Sequence, residues 1–427
     1  MRIPSLLIIV MFAAPLSAQT LEQEVRALRE EIQRLREELN AVKDELRARA
    51  DTVEQMPLVQ AQIQEHAQTK VETTSKFPMK VFGTIVSNTF WNTAEPNWLD
   101  VPNIATPYAP DARTGSFTST LRQTRIGASL DGPQIGSMKA SGFFAMDFFG
   151  GIPNFQTGQV MGLPRLLYAY IRLDGEKTAV QVGQDHMLLA PRNPTTLAGM
   201  SFPTLYRSGN LYLRVPQLRA ERSFGQLRIA GGLGAPVAGD FRSETYEFAP
   251  PNLSGERSRT PAFQGRISWS ATPAGPYEKP QWEFGASGHY SRERLASGTD
   301  SSWAAAVDFD ATVDRFGVGG ELFVGRNLDA FGGSVAQIAK SAGGFIEGRI
   351  AATRQLSFNG GFGKDRLFDA FKFPVALSQN STVFANTIYQ FTPEFGAAFE
   401  FQRLRTEPLR SAARKNKHFN LTFAYSF

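Results

Sequence analysis

From Lys80 to the end of the chain, apolar side chains recur at every second position. In the last ten residues the apolar positions are Phe419, Leu421, Phe423, Tyr425 and Phe427. The stretches 281–290, 315–325 and 395–403 show the same alternation. Because successive side chains of a β-strand point to opposite faces, each stretch predicts a strand with one apolar and one polar face. Soluble β-sandwiches also alternate in this way, so the period alone does not decide the architecture.

The connections between the predicted strands favour a transmembrane barrel. We predict strands at 80–91, 121–130, 138–149, 165–173, 178–184, 215–222, 226–234, 262–270, 281–290, 302–310, 315–325, 342–351, 354–363, 380–391, 395–403 and 417–427. Long links such as 92–120, 185–214 and 291–301 alternate with short ones such as 174–177 and 392–394. Long loops at one end and short turns at the other are typical of outer-membrane barrels. The sequence therefore predicts an all-β transmembrane antiparallel β-barrel of about 16 strands over residues 80–427.

The first residues of the chain resemble an export signal. Arg2 precedes an apolar run over 6–14, and small residues follow up to Ala18. A positive start, a short apolar core and a small-residue site predict a signal peptide over 1–18. A retained membrane anchor is the alternative, but the run is shorter than a membrane-spanning helix requires.

A heptad repeat follows the signal peptide. The apolar a and d positions are Leu21, Val25, Leu28, Ile32, Leu35, Leu39, Val42 and Leu46. Glutamates occupy the g positions and Arg29, Arg36 and Lys43 occupy e, as interhelical ion pairs in a parallel oligomer require. We predict a parallel α-helical coiled coil in the periplasm over 19–50 and a linker over 51–79. The alternative is one amphipathic helix packed on its own barrel. The heptad pattern is compatible with both a dimeric and a trimeric coiled coil.

Charged residues within predicted strands should point into the barrel, because an arginine that faces lipid at mid-membrane costs roughly 2–4 kcal/mol. This rule predicts that Arg125, Arg172, Arg219, Arg266 and Arg349 line the pore as basic residues. It predicts that Glu283, Asp308, Glu321 and Glu347 line it as acidic residues. The cations lie mostly on earlier strands and the acids on later ones, so the two signs should face each other across the pore. The alternative is that many of these charges form salt bridges within the wall.

Four segments resemble the DcaP-like porins, a family of trimeric barrels related to the phosphate-selective porins. These segments are 121–127, 147–151, 164–170 and 182–185. The resemblance implies a homotrimer, joined through barrel walls and coiled coil, and uptake of small anionic solutes such as dicarboxylates. The chain departs from the family pattern at Leu167, where a polar or basic residue is expected. It also departs at 185–187, where a tryptophan is expected.

The third long loop, 185–214, contains Arg192, Arg207 and Arg214 but only one acid, Asp185. In sixteen-stranded porins this loop usually folds into the barrel and narrows it. By that analogy the three arginines form a basic constriction, where guanidinium groups bind carboxylate or phosphate in a bidentate manner. The alternative is a loop that lies on the outer rim.

Nothing in the sequence favours an enzyme or a bound cofactor. The chain has no cysteine, and its four histidines are scattered, with no zinc-binding or Ser-His-Asp pattern. Asp308 and Asp310 on one strand face are weak grounds for a calcium site. We therefore expect no catalytic residue, no metal and no cofactor, although a barrel-embedded hydrolase stays a minor alternative.

The expected function is that of an outer-membrane porin for small hydrophilic anions. Residues 80–427 have 35 basic and 28 acidic side chains, a balance that suits anionic solutes or lipid headgroups. The expected partners are membrane lipid, lipopolysaccharide and, through Phe427, the barrel-assembly machinery; nucleic acid is not expected. The alternative function is a structural envelope protein whose coiled coil is a spacer or anchor.

Overall fold

The computed structural model describes residues 78–106, 115–152, 158–160, 162–237, 252–271, 280–333, 339–368 and 377–427. The predicted signal peptide (1–18) and coiled coil (19–50) lie outside these residues, as does nearly all of the predicted linker (51–79).

The described residues form β-strands that follow the predicted ones closely. The strands are β1 (Met79–Asn92), β2 (Ser116–Thr120), β3 (Arg125–Ile135), β4 (Met138–Asp147), β5 (Arg165–Asp174), β6 (Thr178–His186), β7 (Arg214–Phe224), β8 (Leu227–Gly234), β9 (Ala262–Ser270), β10 (Trp282–Leu295), β11 (Gly298–Val313), β12 (Phe316–Arg326), β13 (Lys340–Ala351), β14 (Leu356–Leu367), β15 (Leu377–Gln390), β16 (Phe395–Pro408) and β17 (Arg414–Ser426). A short helix, α1 (Ser254–Arg257), lies between β8 and β9. Among the described residues, no helix is long and apolar enough to cross a membrane.

The sheet closes on itself as an antiparallel barrel. From β3 onward each strand pairs with the next one in sequence, and β1 pairs with β17 to complete the ring. Both β2 and β3 pair with β1, so they are two halves of one strand that is interrupted at 121–124. The seventeen segments therefore make a closed barrel of sixteen strands, and the predicted fold class is confirmed for this part of the chain.

Side chains alternate between an exposed apolar face and a buried inner face. On β12, Leu322 is 61% exposed whereas the adjacent Glu321 is 0% exposed. The same change of face occurs along β17, where Leu421 and Tyr425 point outward and His418 and Thr422 point inward. This is the arrangement of a transmembrane barrel, in which lipid meets the outer face and polar groups line the interior.

Two local expectations are wrong. The predicted long link at 291–301 is a tight hairpin, since β10 and β11 continue to Leu295 and Gly298. Gly298 has a φ of 134°, which favours glycine at this turn. The predicted strand 121–130 begins only at Arg125, and residues 116–120, expected in the long link 92–120, form β2. Trp269 is exposed on the outer face, where interfacial aromatic residues lie.

Candidate functional site in the barrel interior

The segment 187–213, here termed the internal loop, joins β6 to β7 and lies inside the barrel. Its residues Leu189 and Leu205 are both 0% exposed. Leu189 packs with Ala304 and Phe323 on the inward faces of β11 and β12, whereas Leu205 packs against Phe384 of β15. Full burial of an apolar side chain contributes about 1.5–3 kcal/mol, so these contacts hold the loop against the inner wall.

Three glutamates of the wall bind the internal loop. Glu321 on β12 accepts a hydrogen bond from the backbone N–H of Leu211 at 3.1 Å. Glu347 on β13 accepts one from the backbone N–H of Thr195 at 2.7 Å. Glu400 on β16 accepts two hydroxyl hydrogen bonds from the loop at 2.5 and 2.9 Å. All three are at most 1% exposed, so the loop covers these carboxylates and separates them from the open part of the lumen.

Arg192 of the internal loop joins a compact group of four charges. It binds Glu283 of β10 at 2.9 Å and Asp308 of β11 at 2.8 Å. Arg266 of β9 binds the same two acids. Burial alone would lower the pKa of Arg192, but attraction by Glu283 and then Asp308 outweighs burial and raises this pKa above its ordinary value. Two arginines and two acids thus neutralise each other here.

The predicted separation of charge signs is wrong on this side of the barrel. Arg349 of β13 binds Asp310 at 2.9 Å and approaches Glu347 at 3.5 Å. The acids of the later strands are therefore paired with neighbouring arginines or hydrogen-bonded and covered by the internal loop, so they do not face the opposite wall as free charges. Asp308 and Asp310, considered for calcium, both bind arginine.

Arg207, the second arginine expected in the constriction, also has an acidic partner. Its guanidinium binds Asp329 at 2.6 Å, in the 3-10 turn that follows β12. Its φ of 60° places its backbone in the left-handed region, which a non-glycine residue adopts rarely. Arg192 and Arg207 therefore fix the internal loop to the wall and its adjacent turns.

The wall formed by β5, β6 and β7 has inward-facing arginines that also have partners. Arg172 binds Asp174 at 2.8 Å and approaches Glu221 at 3.4 Å. Arg219 binds Asp185 and Glu221, each at 3.0 Å. These side chains form a network along the wall.

Arg125 and Arg214 differ from the other predicted arginines. Arg214 lies between two tyrosine rings, 4.7 Å from the centre of Tyr168 and 4.8 Å from that of Tyr212. It is close enough to Arg125 for the two charges to repel each other. Among the described residues, neither arginine forms an ion pair, and the Nε of each has no hydrogen-bond partner. We call these four residues the arginine–tyrosine cluster.

The acid nearest to this cluster has other partners. Asp147 lies opposite Arg125 in the β3–β4 register. Its carboxylate accepts hydrogen bonds from Arg165 at 2.7 and 3.0 Å and from the hydroxyl of Ser201 at 2.8 Å. The cluster consequently keeps a net positive charge in a setting of low dielectric constant, where charge-assisted hydrogen bonds to an anion are strong.

Sequence reasoning missed Tyr168 and Tyr212 of this cluster, and also His186, whose ring contacts both tyrosines. The β4–β5 register shifts by one residue between Ala145 and Met146, so Leu167 is an extra residue in β5. A β-bulge of this kind re-aims side chains, and both Leu167 and Tyr168 are buried here. The ring nitrogen Nε2 of His186 lies 2.6 Å from the Tyr168 hydroxyl. The sequence did contain one signal of this bulge, which is the departure from the family pattern at Leu167.

Aromatic side chains from the loops after β1 and β4 pack against the internal loop. The ring centre of Trp98, from the loop after β1, lies 4.8 Å from that of Phe202. The Trp98 ring also stacks parallel to the Tyr206 ring, with 6.1 Å between their centres. Phe149 from the loop after β4 lies 5.4 Å from Phe202. These contacts fix the loops that surround the arginine–tyrosine cluster at this end of the barrel.

The described residues hold no group of three or more His, Asp or Glu side chains arranged to bind a metal ion. His289 and His418 face inward and are 5% and 1% exposed. Their rings contact Phe331 and Phe90, respectively.

Comparisons with known proteins identify the fold. No protein-family model and no curated protein matches the chain. Solved structures do match. The outer-membrane channel DcaP of Acinetobacter baumannii has a TM-score of 0.67 at 15% identity, over 84% of this chain and 100% of that one.

Two further porins give lower scores. The anion-selective porin from Comamonas acidovorans has a TM-score of 0.54 at 8% identity, over 82% of this chain and 100% of that one. OprB of Pseudomonas putida has a TM-score of 0.53 at 12% identity, over 82% of this chain and 94% of that one. The described chain is thus a porin-like barrel, and its predicted resemblance to the DcaP-like porins is confirmed at the level of the fold.

Proposed function

We propose that the chain is an outer-membrane porin through which small hydrophilic anions of the dicarboxylate type diffuse. The observation that supports this most is the arginine–tyrosine cluster, because Arg125 and Arg214 have no carboxylate partner among the described residues. A solute carboxylate would supply the missing acceptor. A solved porin of the same fold is described as anion-selective, in agreement with this proposal.

The pore-lining roles follow from this proposal. Arg125 and Arg214 meet the solute directly, while Arg172 and Arg219 of the adjacent wall stay paired with Asp174, Asp185 and Glu221. The other predicted lining residues position the internal loop instead; they are Arg192, Arg207, Arg266, Arg349, Glu283, Asp308, Glu321 and Glu347. The loop thus covers the acidic wall and leaves the arginine–tyrosine cluster facing the solute, which favours anions.

The proposed assembly is a homotrimer in the outer membrane, with the coiled coil of 19–50 in the periplasm. A solved protein of the same fold, OmpT of Vibrio cholerae, is described in a trimer form. Phe427 would present the C-terminal signal to the barrel-assembly machinery. Its backbone N–H and carbonyl each hydrogen-bond to Gly83 at 3.0 Å, which places this residue at the closing seam of the barrel.

Single-channel recording in planar lipid bilayers tests the proposed function. The purified protein should give stable stepwise conductance and a mass in mild detergent equal to three chains. A barrel that conducts no ions but binds isolated cell wall would favour the structural alternative. Hydrolysis of generic ester or peptide substrates by pure protein would favour an enzyme. Either result would reject the porin.

A further inference from the structure

His186, the last residue of β6, lies directly opposite Arg214, the first residue of β7. Its ring meets both tyrosines of the arginine–tyrosine cluster edge to face, with its centre 5.4 Å from that of Tyr168 and 5.2 Å from that of Tyr212. The same two tyrosines contact the guanidinium of Arg214. His186 therefore adjoins the cluster where Arg214 is held.

The hydrogen bond between His186 and Tyr168 has one direction that suits every neighbour. Nε2 of His186 lies 2.6 Å from the Tyr168 hydroxyl oxygen. The guanidinium of Arg214 interacts with the same hydroxyl and can only donate, so the Tyr168 oxygen faces it as an acceptor. The hydroxyl has a single hydrogen, which it consequently donates to Nε2 of His186. The imidazole then carries its own hydrogen on Nδ1.

The charged groups around the His186 ring agree with this acceptor role. Arg214, Arg125 and Arg219 are close enough to repel a further positive charge on the ring. The adjacent acid, Asp185, binds Arg219 at 3.0 Å and contacts His186 through the backbone N–H at 2.6 Å. An imidazole without a positive charge leaves Nε2 able to accept the hydroxyl hydrogen.

We propose that His186 is a positioning residue of the arginine–tyrosine cluster: it accepts the Tyr168 hydroxyl hydrogen, keeps the Tyr168 oxygen turned towards Arg214 and thereby fixes the guanidinium for the solute carboxylate. Ring contacts leave the guanidinium free to turn in its own plane, whereas a hydrogen bond is directional. A tryptophan, which the family resemblance predicts within 185–187, would not serve, because its indole N–H only donates. The inference rests on the proposed function.

Succinate block of the chloride current in planar bilayers tests this role. H186F keeps an aromatic ring but removes the acceptor, whereas H186Q keeps an acceptor in its side-chain oxygen. Y168F removes the hydroxyl from the other end of the same hydrogen bond. The matched control is H289F, because His289 is another inward-facing histidine and its Nε2 has no hydrogen-bond partner among the described residues.

In H186F and in Y168F, succinate should block the current at least about threefold less strongly, as the loss of one hydrogen bond predicts. H186Q and H289F should stay within about twofold of the unmodified protein. In the double variant H186F/R214Q the block should equal that of R214Q, because His186 acts through Arg214. Independent effects would multiply instead.

An H186F block equal to that of the unmodified protein would overturn the inference. So would an H186Q block as weak as that of H186F, or a weaker block in H186F/R214Q than in R214Q. If H186F yields no folded barrel, Y168F and Y168F/R214Q replace it with the same expectations. The porin proposal is judged separately, because stepwise conductance and a weaker block in R214Q uphold it whatever His186 does, and an unmodified protein that conducts no ions rejects it.

Discussion

The guanidinium carbon of Arg214 lies 4.7 Å from the centre of the Tyr168 ring, on the inner wall of the barrel where β5 and β7 approach the internal loop. Tyr212 contacts Arg214 from the end of that loop at 4.8 Å. Cation–π contacts contribute about 0.5–2 kcal/mol and fix the orientation of the guanidinium plane. The ring contacts therefore hold a positive charge in place without neutralising it, as an anion-binding group requires.

Replacing Arg214 should weaken interaction with dicarboxylates. In R214Q, succinate should block the chloride current about tenfold less strongly, because a hydrogen bond to a charged group contributes about 1.5–3 kcal/mol. Block of R214K by succinate should be intermediate between that of R214Q and that of the unmodified protein, because lysine keeps the charge but lacks the planar guanidinium. Succinate titration in planar bilayers measures this. The control R292Q, on the outer wall, should behave like the unmodified protein; an unaltered R214Q would argue against the cluster.

Removing a glutamate that binds the internal loop should increase the fluctuations of the single-channel current. Glu400→Ala removes the acceptor for the hydroxyls of Thr196 and Thr204. Hydrogen bonds to a charged group are worth about 1.5–3 kcal/mol, so alternative loop positions should become at least about tenfold more populated. Single-channel recordings should show added sublevels, absent from the control Glu176→Ala in an exposed turn. Identical traces would mean that Glu400 does not hold the loop.

The shared acid of the four-charge group should be important for stability. Asp308→Asn leaves Arg192 and Arg266 with Glu283 as their common acid, and breaking a buried ion pair costs about 3–5 kcal/mol. We expect the free energy of unfolding in lipid vesicles to fall by on the order of 3 kcal/mol. Asp131→Asn, which breaks an exposed pair with Lys139, should change it by less than about 1 kcal/mol. Equal effects in both variants would contradict this account.

The closing seam should not tolerate a side chain at Gly83. A Cβ there would lie 2.6 Å from the Phe427 ring and 2.8 Å from the carbonyl oxygen of Arg125. Gly83→Val should lower the stability by about 1–3 kcal/mol, as overpacking does, and reduce the yield of folded barrel. Gly231→Val is the control, since a Cβ at that position meets nothing within 4 Å. The heat-induced mobility shift in gels measures both; equal yields would count against the packed seam.

The barrel itself was predictable because apolar residues at every second position identify the face of each strand that meets lipid. The strand at Ala262–Ser270 has the predicted bounds. Where the sequence failed, a local rule was broken. Arg292 and Arg294 made 291–301 look like a loop, yet both are outward residues of β10 near the end of the strand, where charge on the outer face costs little. At 121–124 the outward apolar residues change from odd positions, Phe117 and Leu121, to even ones, Ile126 and Leu130, and the predicted strand 121–130 runs across this change of phase.

The site was less predictable because it depends on contacts between distant parts of the chain. The inward direction of Arg266 follows from alternation, but its shared partners with Arg192 depend on where the internal loop lies. Tyr168 escaped prediction because the β-bulge at Leu167 reverses the alternation within β5. No sequence rule marked Arg125 and Arg214 as the arginines that lack an acidic partner in the described structure.

The zero-current potential of the reconstituted protein under a potassium chloride gradient tests the central claim most directly. The unmodified channel should favour chloride over potassium, and the double variant R125Q/R214Q should lose most of this preference while still conducting. A channel that favours potassium, or one whose chloride preference survives in R125Q/R214Q, would contradict the account.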